Sequence, residues 1–150
     1  LDLEQTYWRT FLHASELFPG VKGLLQDLKT IEVQTAIITD LTAQIQFRKI
    51  IYFGLEEYFD YVVTSEEAGF DKPHKAGFQL TSEKLKVEPD KCWMIGDNPI
   101  ADIQGGRDFK MITLQKQHSG VRIAGGENSA DAVFDDFNDI RSIFIKNSWL

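Results

Sequence analysis

Four side chains have types and surroundings suited to handling phosphate and a hard cation: Thr39, Lys72, Asp97 and Asp102. Asp97 follows Cys92-Trp93-Met94-Ile95-Gly96, a short apolar run ended by glycine, which predicts a buried strand. Pro99 and the spacing of Ile100 and Ile103 then open a helix, with Asp102 near its start. Two acids just past the carboxyl end of a buried strand lie where open α/β sheets bind ligands. They also supply the oxygens that Mg²⁺ prefers. Thr39 follows the apolar pair Ile37-Ile38, and a hydroxyl with free N–H groups at the next helix start can hold an oxyanion. Lys72, in the loop Asp71-Lys72-Pro73, can neutralise phosphoryl oxygens from the side opposite a cation.

Each position also has a plainer explanation. Thr39 or Asp97 could cap the helix that follows it. Lys72 could be a surface lysine, and Asp102 could answer the helix macrodipole alone. Their order along the chain carries the weight. His13, His74 and His118 have no Cys partner and no His-x-x-x-His spacing, which argues against zinc; of the three, His74 lies nearest the candidate site in sequence. No serine sits in a Gly-x-Ser-x-Gly turn. The lone Cys92 excludes an intramolecular disulfide and fits a reducing compartment. Its place in an apolar strand reads as core, not as a nucleophile.

The elements that must position these groups alternate in type. Leu1 to Leu17 has helical composition and is broken by Pro19-Gly20. Val21, Leu24, Leu25 and Leu28 then fall at i, i+3, i+4 and i+7, an amphipathic helix. A strand is expected over Val33 to Thr39, then a helix with Phe47, Ile50 and Ile51 on one face and Gly54 as its stop. Tyr61-Val62-Val63 predicts a strand, Ser65-Glu66-Glu67 a helical turn ended by Gly69, and Lys75 to Lys86 a helix with Phe78 and Leu85 inward. After strand 92–96 and helix 99–108 come a strand at Met111 to Leu114, a polar loop from Gln115 to Ala130 and a strand at Ala132 to Phe134. A last helix carries Phe137, Ile140 and Phe144 on one face, with Asp135 or Asp136 near its cap. Strands alternating with helices predict an α/β fold, a parallel sheet covered on both faces.

The length of 150 residues and 43% hydrophobic content support one domain with a real core. A net charge of −7, with its acids scattered, argues against nucleic acid or an anionic membrane as partner. No run approaches the ~18 apolar residues of a membrane helix, and no signal peptide is visible. A cytoplasmic protein is expected. The glycine pairs 105–106 and 125–126 lack the spacing of a dinucleotide fingerprint.

Taken together, Ile37-Ile38-Thr39, Asp71-Lys72-Pro73 and Met94-Ile95-Gly96-Asp97-x4-Asp102 resemble motifs II, III and IV of the haloacid dehalogenase (HAD) superfamily. Phe18-Pro19-Gly20-Val21, Tyr58-Phe59-Asp60, Val63 to Gly69 and Ala130-Asp131-Ala132-Val133 are similar to its phosphoglycolate phosphatase-like subclass, which carries a helical cap. The resemblance runs from about Phe18 to Phe144 and implies a three-layer Rossmann-like core over residues 19–150, with residues 1–18 as a return helix from the cap. It implies that Thr39 holds the phosphoryl group with the N–H groups of Asp40 or Leu41, and that Lys72 stabilises nucleophile and phosphoryl oxygens. Asp97 would ligate Mg²⁺, with Asp102 supporting the metal or Lys72. Gly96-Asp97 stands where the dehalogenase branch has Ser-Asn, so a Mg²⁺-dependent phosphatase of a small phosphorylated metabolite is the closer match. Asp40 stands where asparagine is common and brings an extra negative charge to the phosphate site.

The family's first motif, an apolar strand followed by Asp-x-Asp-x-Thr, is not found in this sequence. The chain reads as beginning near the end of the cap, with the first strand and most of the cap absent. That strand lies mid-sheet in the family, so its neighbours would pair with a complementing N-terminal segment, mediate a dimer, or close on each other, because unpaired edges are sticky. Two functions stay open: the body of a phosphohydrolase working through an aspartyl-phosphate with its nucleophile on an absent segment, or a non-catalytic remnant or binding module. The 150 residues alone are expected to be inactive. Tyr7, Trp8 and Phe11 are expected to pack into the core.

Overall fold

Short β-branched and apolar runs form the strands, and most of them hand the chain to a helix. The computed structural model describes residues 2–147. Leu1, the first residue of the expected N-terminal helix, and the last three residues of the expected core lie outside them. Helix α1 (Leu3–His13) is followed by α2 (Val21–Thr30), β1 (Ala36–Thr39), α3 (Ala43–Tyr52), β2 (Tyr61–Thr64), α4 (Ser65–Ala68) and α5 (Lys75–Leu85). Then come β3 (Trp93–Gly96), a π-helical stretch (Pro99–Gln104), α6 (Gly105–Asp108), β4 (Ile112–Lys116), β5 (Ala132–Phe134) and α7 (Phe137–Lys146).

All strand pairs are parallel, but the sheet is in two pieces. β1 pairs with β2, Ile38 opposite Val63. Separately, β3 pairs with β4, Gly96 opposite Gln115, and β4 pairs with β5. Among the described residues β1 and β3 share no ladder, so the expectation that they could close on each other is not met. Between them lies a cavity of about 1090 Å³, lined by Ile37 and Ile38 of β1, Met94 and Ile95 of β3, and Leu24, Leu28, Ile140 and Phe144 of the covering helices.

Helices hold the halves together from both faces. Successive strand residues point to opposite faces, and Met94 and Ile95 accordingly pack in different clusters. On one face α2 places adjacent leucines in two clusters: Leu24 with Leu114, Phe134, Ile140 and Phe144, and Leu25 with Ile50 and Leu55. On the other, the fully buried Phe78 of α5 joins Met94 and Met111, with Ile38 of β1 packed against them. Burial of this kind stabilises by about 1.5–3 kcal/mol per large apolar side chain.

Several expectations change. Residues 33–35 lead into β1 as a loop, where the Thr35 N–H donates to the Asp60 carboxylate at 2.8 Å. The helix expected over 99–108 starts as a widened turn, in which Asp102 and Ile103 N–H both donate to the Asn98 carbonyl (3.0 and 3.1 Å). β4 runs on through Gln115 and Lys116, two residues expected in the loop. Only Ile50 of the α3 face is buried; Phe47 and Ile51 are 49% and 61% exposed. Helix α1 has no buried residue, so Tyr7, Trp8 and Phe11 do not enter the core; their rings pack on one another.

Candidate active site

The four polar positions lie at the carboxyl ends of β1 and β3 and in the loop before α5, and hydrogen bonds through Lys72 link Asp40, next to Thr39, to Asp102 and Asp97. The Lys72 backbone N–H donates to Asp40 Oδ1 at 2.9 Å, on the β1 side. Its ammonium donates to Asp102 Oδ1 at 2.6 Å, on the β3 side, with side chains only 13% and 8% exposed. Asp102 Oδ2 in turn accepts from the Asp97 and Asn98 N–H groups, each at 3.1 Å. Lys72 thus ties one half-sheet to the other above the cavity, and both Lys72 and Asp102 line it. The surface-lysine explanation does not hold. Gly96 is required here, since a Cβ would collide with the Asp102 carboxylate.

The capping explanations fail as well, because a neighbour does the capping. Thr42 caps α3 by accepting from the Ile45 N–H, and the buried Thr39 hydroxyl instead accepts from the Leu41 N–H at 3.1 Å. Asn98 Oδ1 accepts from the Ile100 and Ala101 N–H groups at 3.0 and 2.8 Å, which releases Asp97 from that duty. The expected free helix-start N–H groups at Asp40 and Leu41 therefore belong to a separate turn, with the Leu41 N–H already turned to Thr39. Asp40 serves as a loop staple through Lys72.

Asp102 Oδ1 accepts from the Lys72 ammonium and Oδ2 from two backbone N–H groups, so its immediate partner is Lys72. Asp97 is different: its carboxylate is 50% exposed, with Oδ2 2.9 Å from His118 Nε2. Among the described residues no three His, Cys, Asp or Glu side chains gather as a ready metal cage. One accessible carboxylate at a strand end still fits Mg²⁺, which takes one or two protein carboxylates and fills its shell with water and phosphate oxygens.

Two residues outside the expected set touch Asp97: His118, which histidine spacing alone does not single out, and Gln115, expected in a loop. His118 sits against Asp97, and Gln115 donates to the Asp97 carbonyl at 3.0 Å. Gln115 follows the run Ile112-Thr113-Leu114, as Thr39 follows Ile37-Ile38, but lies within β4. His74 caps α5 by accepting from the Ala76 N–H and stacks on Phe70. Cys92 packs against the Phe78 cluster, and burial, then the nearby Asp90 charge, raises its thiol pKa, which leaves it poorly nucleophilic.

A parallel α/β sheet covered by helices, with an ammonium and carboxylates converging at its strand ends, defines a doubly wound domain whose polar groups lie where such sheets bind ligands. Residues 3–115 match the haloacid dehalogenase-like hydrolases, and the chain belongs to that family. It is 39% identical over 114 residues to a ribulose-1,5-bisphosphate 5-phosphatase of Halopiger xanaduensis, covering 76% of this chain and 48% of that protein. The crystal structure of a HAD phosphatase from Thermococcus onnurineus superposes with a TM-score of 0.83 at 28% identity, over 96% of this chain and 65% of that one. A magnesium-bound HAD hydrolase of Bacillus subtilis shares the fold at 24% identity and a TM-score of 0.80, over 95% of this chain and 61% of that one. The chain spans about half the length of the curated relatives it matches. No described helix is long and apolar enough to cross a membrane.

Proposed function

We propose that this chain carries the phosphate- and cation-handling half of a phosphohydrolase acting on a small phosphate monoester. The observation that carries the reading is the hydrogen-bond chain Asp40–Lys72–Asp102–Asp97, drawn across the mouth of the cavity between β1 and β3. The Thr39 hydroxyl binds a phosphoryl oxygen, and Lys72 neutralises charge there, oriented by Asp102. Asp97 holds the cation. Mg²⁺, when bound, supplies further neutralisation of phosphoryl oxygens.

The nucleophile enters on an extended apolar segment seated in the cavity, ending in a carboxylate beside Lys72. An apolar small molecule would fill the space but leave backbone N–H and C=O groups of both facing edges unpaired; a strand satisfies them. The carboxylate oxygen bonds to phosphorus as the ester P–O bond breaks and the alcohol leaves, protonated by the segment's second carboxyl group, which enters as the acid and, once ionised, takes the proton of the attacking water in the next step. Water then attacks phosphorus, releasing phosphate and restoring the carboxylate.

The test is phosphate release from p-nitrophenyl phosphate with Mg²⁺, by the chain alone and with a synthetic apolar segment ending in Asp-x-Asp. No turnover alone and turnover with the segment are expected. Turnover by the chain alone that disappears in Asp97→Ala would overturn the need for the segment. A bound segment that elicits none would favour a non-catalytic module.

A further inference from the structure

We infer that Gln115 and His118 form a clamp that sets the position and rotamer of Asp97, making loop 117–124 a working part of the cation site. The inference rests on Asp97 being the cation ligand, and it adds positioning residues to that site.

Gln115 is fully buried and lies opposite Gly96 in the β3–β4 register, next to Asp97. Its amide nitrogen donates to the Asp97 carbonyl at 3.0 Å and to the Arg122 carbonyl at 2.8 Å, while its oxygen accepts from the Ala124 N–H at 2.8 Å. Only a side-chain amide offers two donors and an acceptor in this arrangement, since leucine offers neither and glutamate no donors. One buried side chain therefore fastens the end of β3 to the loop after β4. That loop delivers His118, whose Nε2 meets Asp97 Oδ2 at 2.9 Å. The ring is backed by Phe18 at 5.3 Å between centroids, and the Lys116 ammonium lies 4.4 Å over the other ring's centre, so His118 rests on a held wall. With one carboxylate oxygen held by His118 and the Asp97 main chain held by Gln115 and Asp102, the second oxygen is presented in a fixed direction. Groups that orient a ligating carboxylate typically matter about 10- to 100-fold in metal affinity.

The test uses Mn²⁺, which shares the oxygen preference of Mg²⁺, read as paramagnetic broadening of individual backbone resonances in the 150-residue chain. Broadening centred on Asp97 is expected in the wild type and should vanish in Asp97→Ala. His118→Ala, a change on a partly exposed side chain, should weaken binding about tenfold, and His118→Gln, which restores a donor, should recover part of it. Gln115→Leu should weaken binding and also shift the Asp97 and 118–124 resonances together. If both His118→Ala and a folded Gln115→Leu bind as wild type while Asp97→Ala does not, the clamp is wrong and the site stands. If the wild type shows no broadening at Asp97, or Asp97→Ala keeps it, the site reading fails and the clamp with it.

Discussion

The two half-sheets end in similar turns but hold their functional residues differently. After β1, Thr39 has its turn contact with Leu41, and Asp40 reaches out to Lys72. After β3, Asp97 is fixed through its N–H by Asp102, through its carbonyl by Gln115 and through its carboxylate by His118. The β3 end is the more tightly braced: the β1 end adds longer contacts at 3.4 Å, from the Thr39 hydroxyl to Gln46 Oε1 and from the Ser65 hydroxyl to the Asp40 carbonyl. Lys72 is the hydrogen-bonded tie between them. In both turns the neighbouring Thr42 or Asn98 caps the helix and frees the chemical residue, so a local rule about caps would misassign both.

The largest effect is expected from cutting the tie. Lys72→Ala leaves the Asp102 carboxylate, 8% exposed, without its cation, and removing one partner of a buried pair costs about 3–5 kcal/mol. Urea unfolding should show it, with Asp97 resonances shifted more than those of Thr39. A loss below about 1 kcal/mol would mean that the helices alone join the halves.

Next are the caps. Asn98→Ala removes an oxygen that accepts two N–H groups at 3.0 and 2.8 Å, whereas Thr42→Ala removes one contact at 3.4 Å. Cap losses centre on about 1 kcal/mol. Denaturant midpoints should fall more for Asn98→Ala, and equal losses would erase the contrast between the two ends.

The smallest effect concerns the far side of the braced half. Asp131 accepts from Thr113 N–H at 2.7 Å and its hydroxyl at 3.1 Å, and the backbone bond is the leading reason its pKa lies below the usual carboxylate range. A carboxylate with a lowered folded pKa contributes stability above its unfolded value, near ~3.9, and loses it as pH falls through the lower folded value. Asp131→Asn should therefore have a slightly lower melting temperature at neutral pH and converge on the wild type in acid. A constant gap across that range would assign the effect to shape, not charge.

Much of this was legible in the sequence. Apolar runs ending in Thr39 and Gly96-Asp97 located two strand ends, and the periodicity of Val21 to Leu28 marked the helix that covers both halves. The resemblance supplied the order in which these groups matter. What was hidden depends on tertiary contact. Nothing local says that Lys72 is buried, because its partner is thirty residues away. Gln115 looked like the start of a loop, since a polar residue interrupts an apolar strand unless its amide is fully paired, and that pairing comes from residues 97, 122 and 124. Whether β1 and β3 would close on each other stayed open in the sequence, and the cavity between them is visible only in the fold.

The sheet is split among the described residues, and the two facing edges are open to one added strand. Residue-resolved amide hydrogen exchange tests it most directly. Alternate amides of β1 and β3 should exchange fast in the free chain while those of β4, paired on both sides, stay protected. The same β1 and β3 amides should become protected when the apolar Asp-x-Asp segment is added. Uniform protection of β1 and β3 without the segment would show those edges already paired and contradict the account.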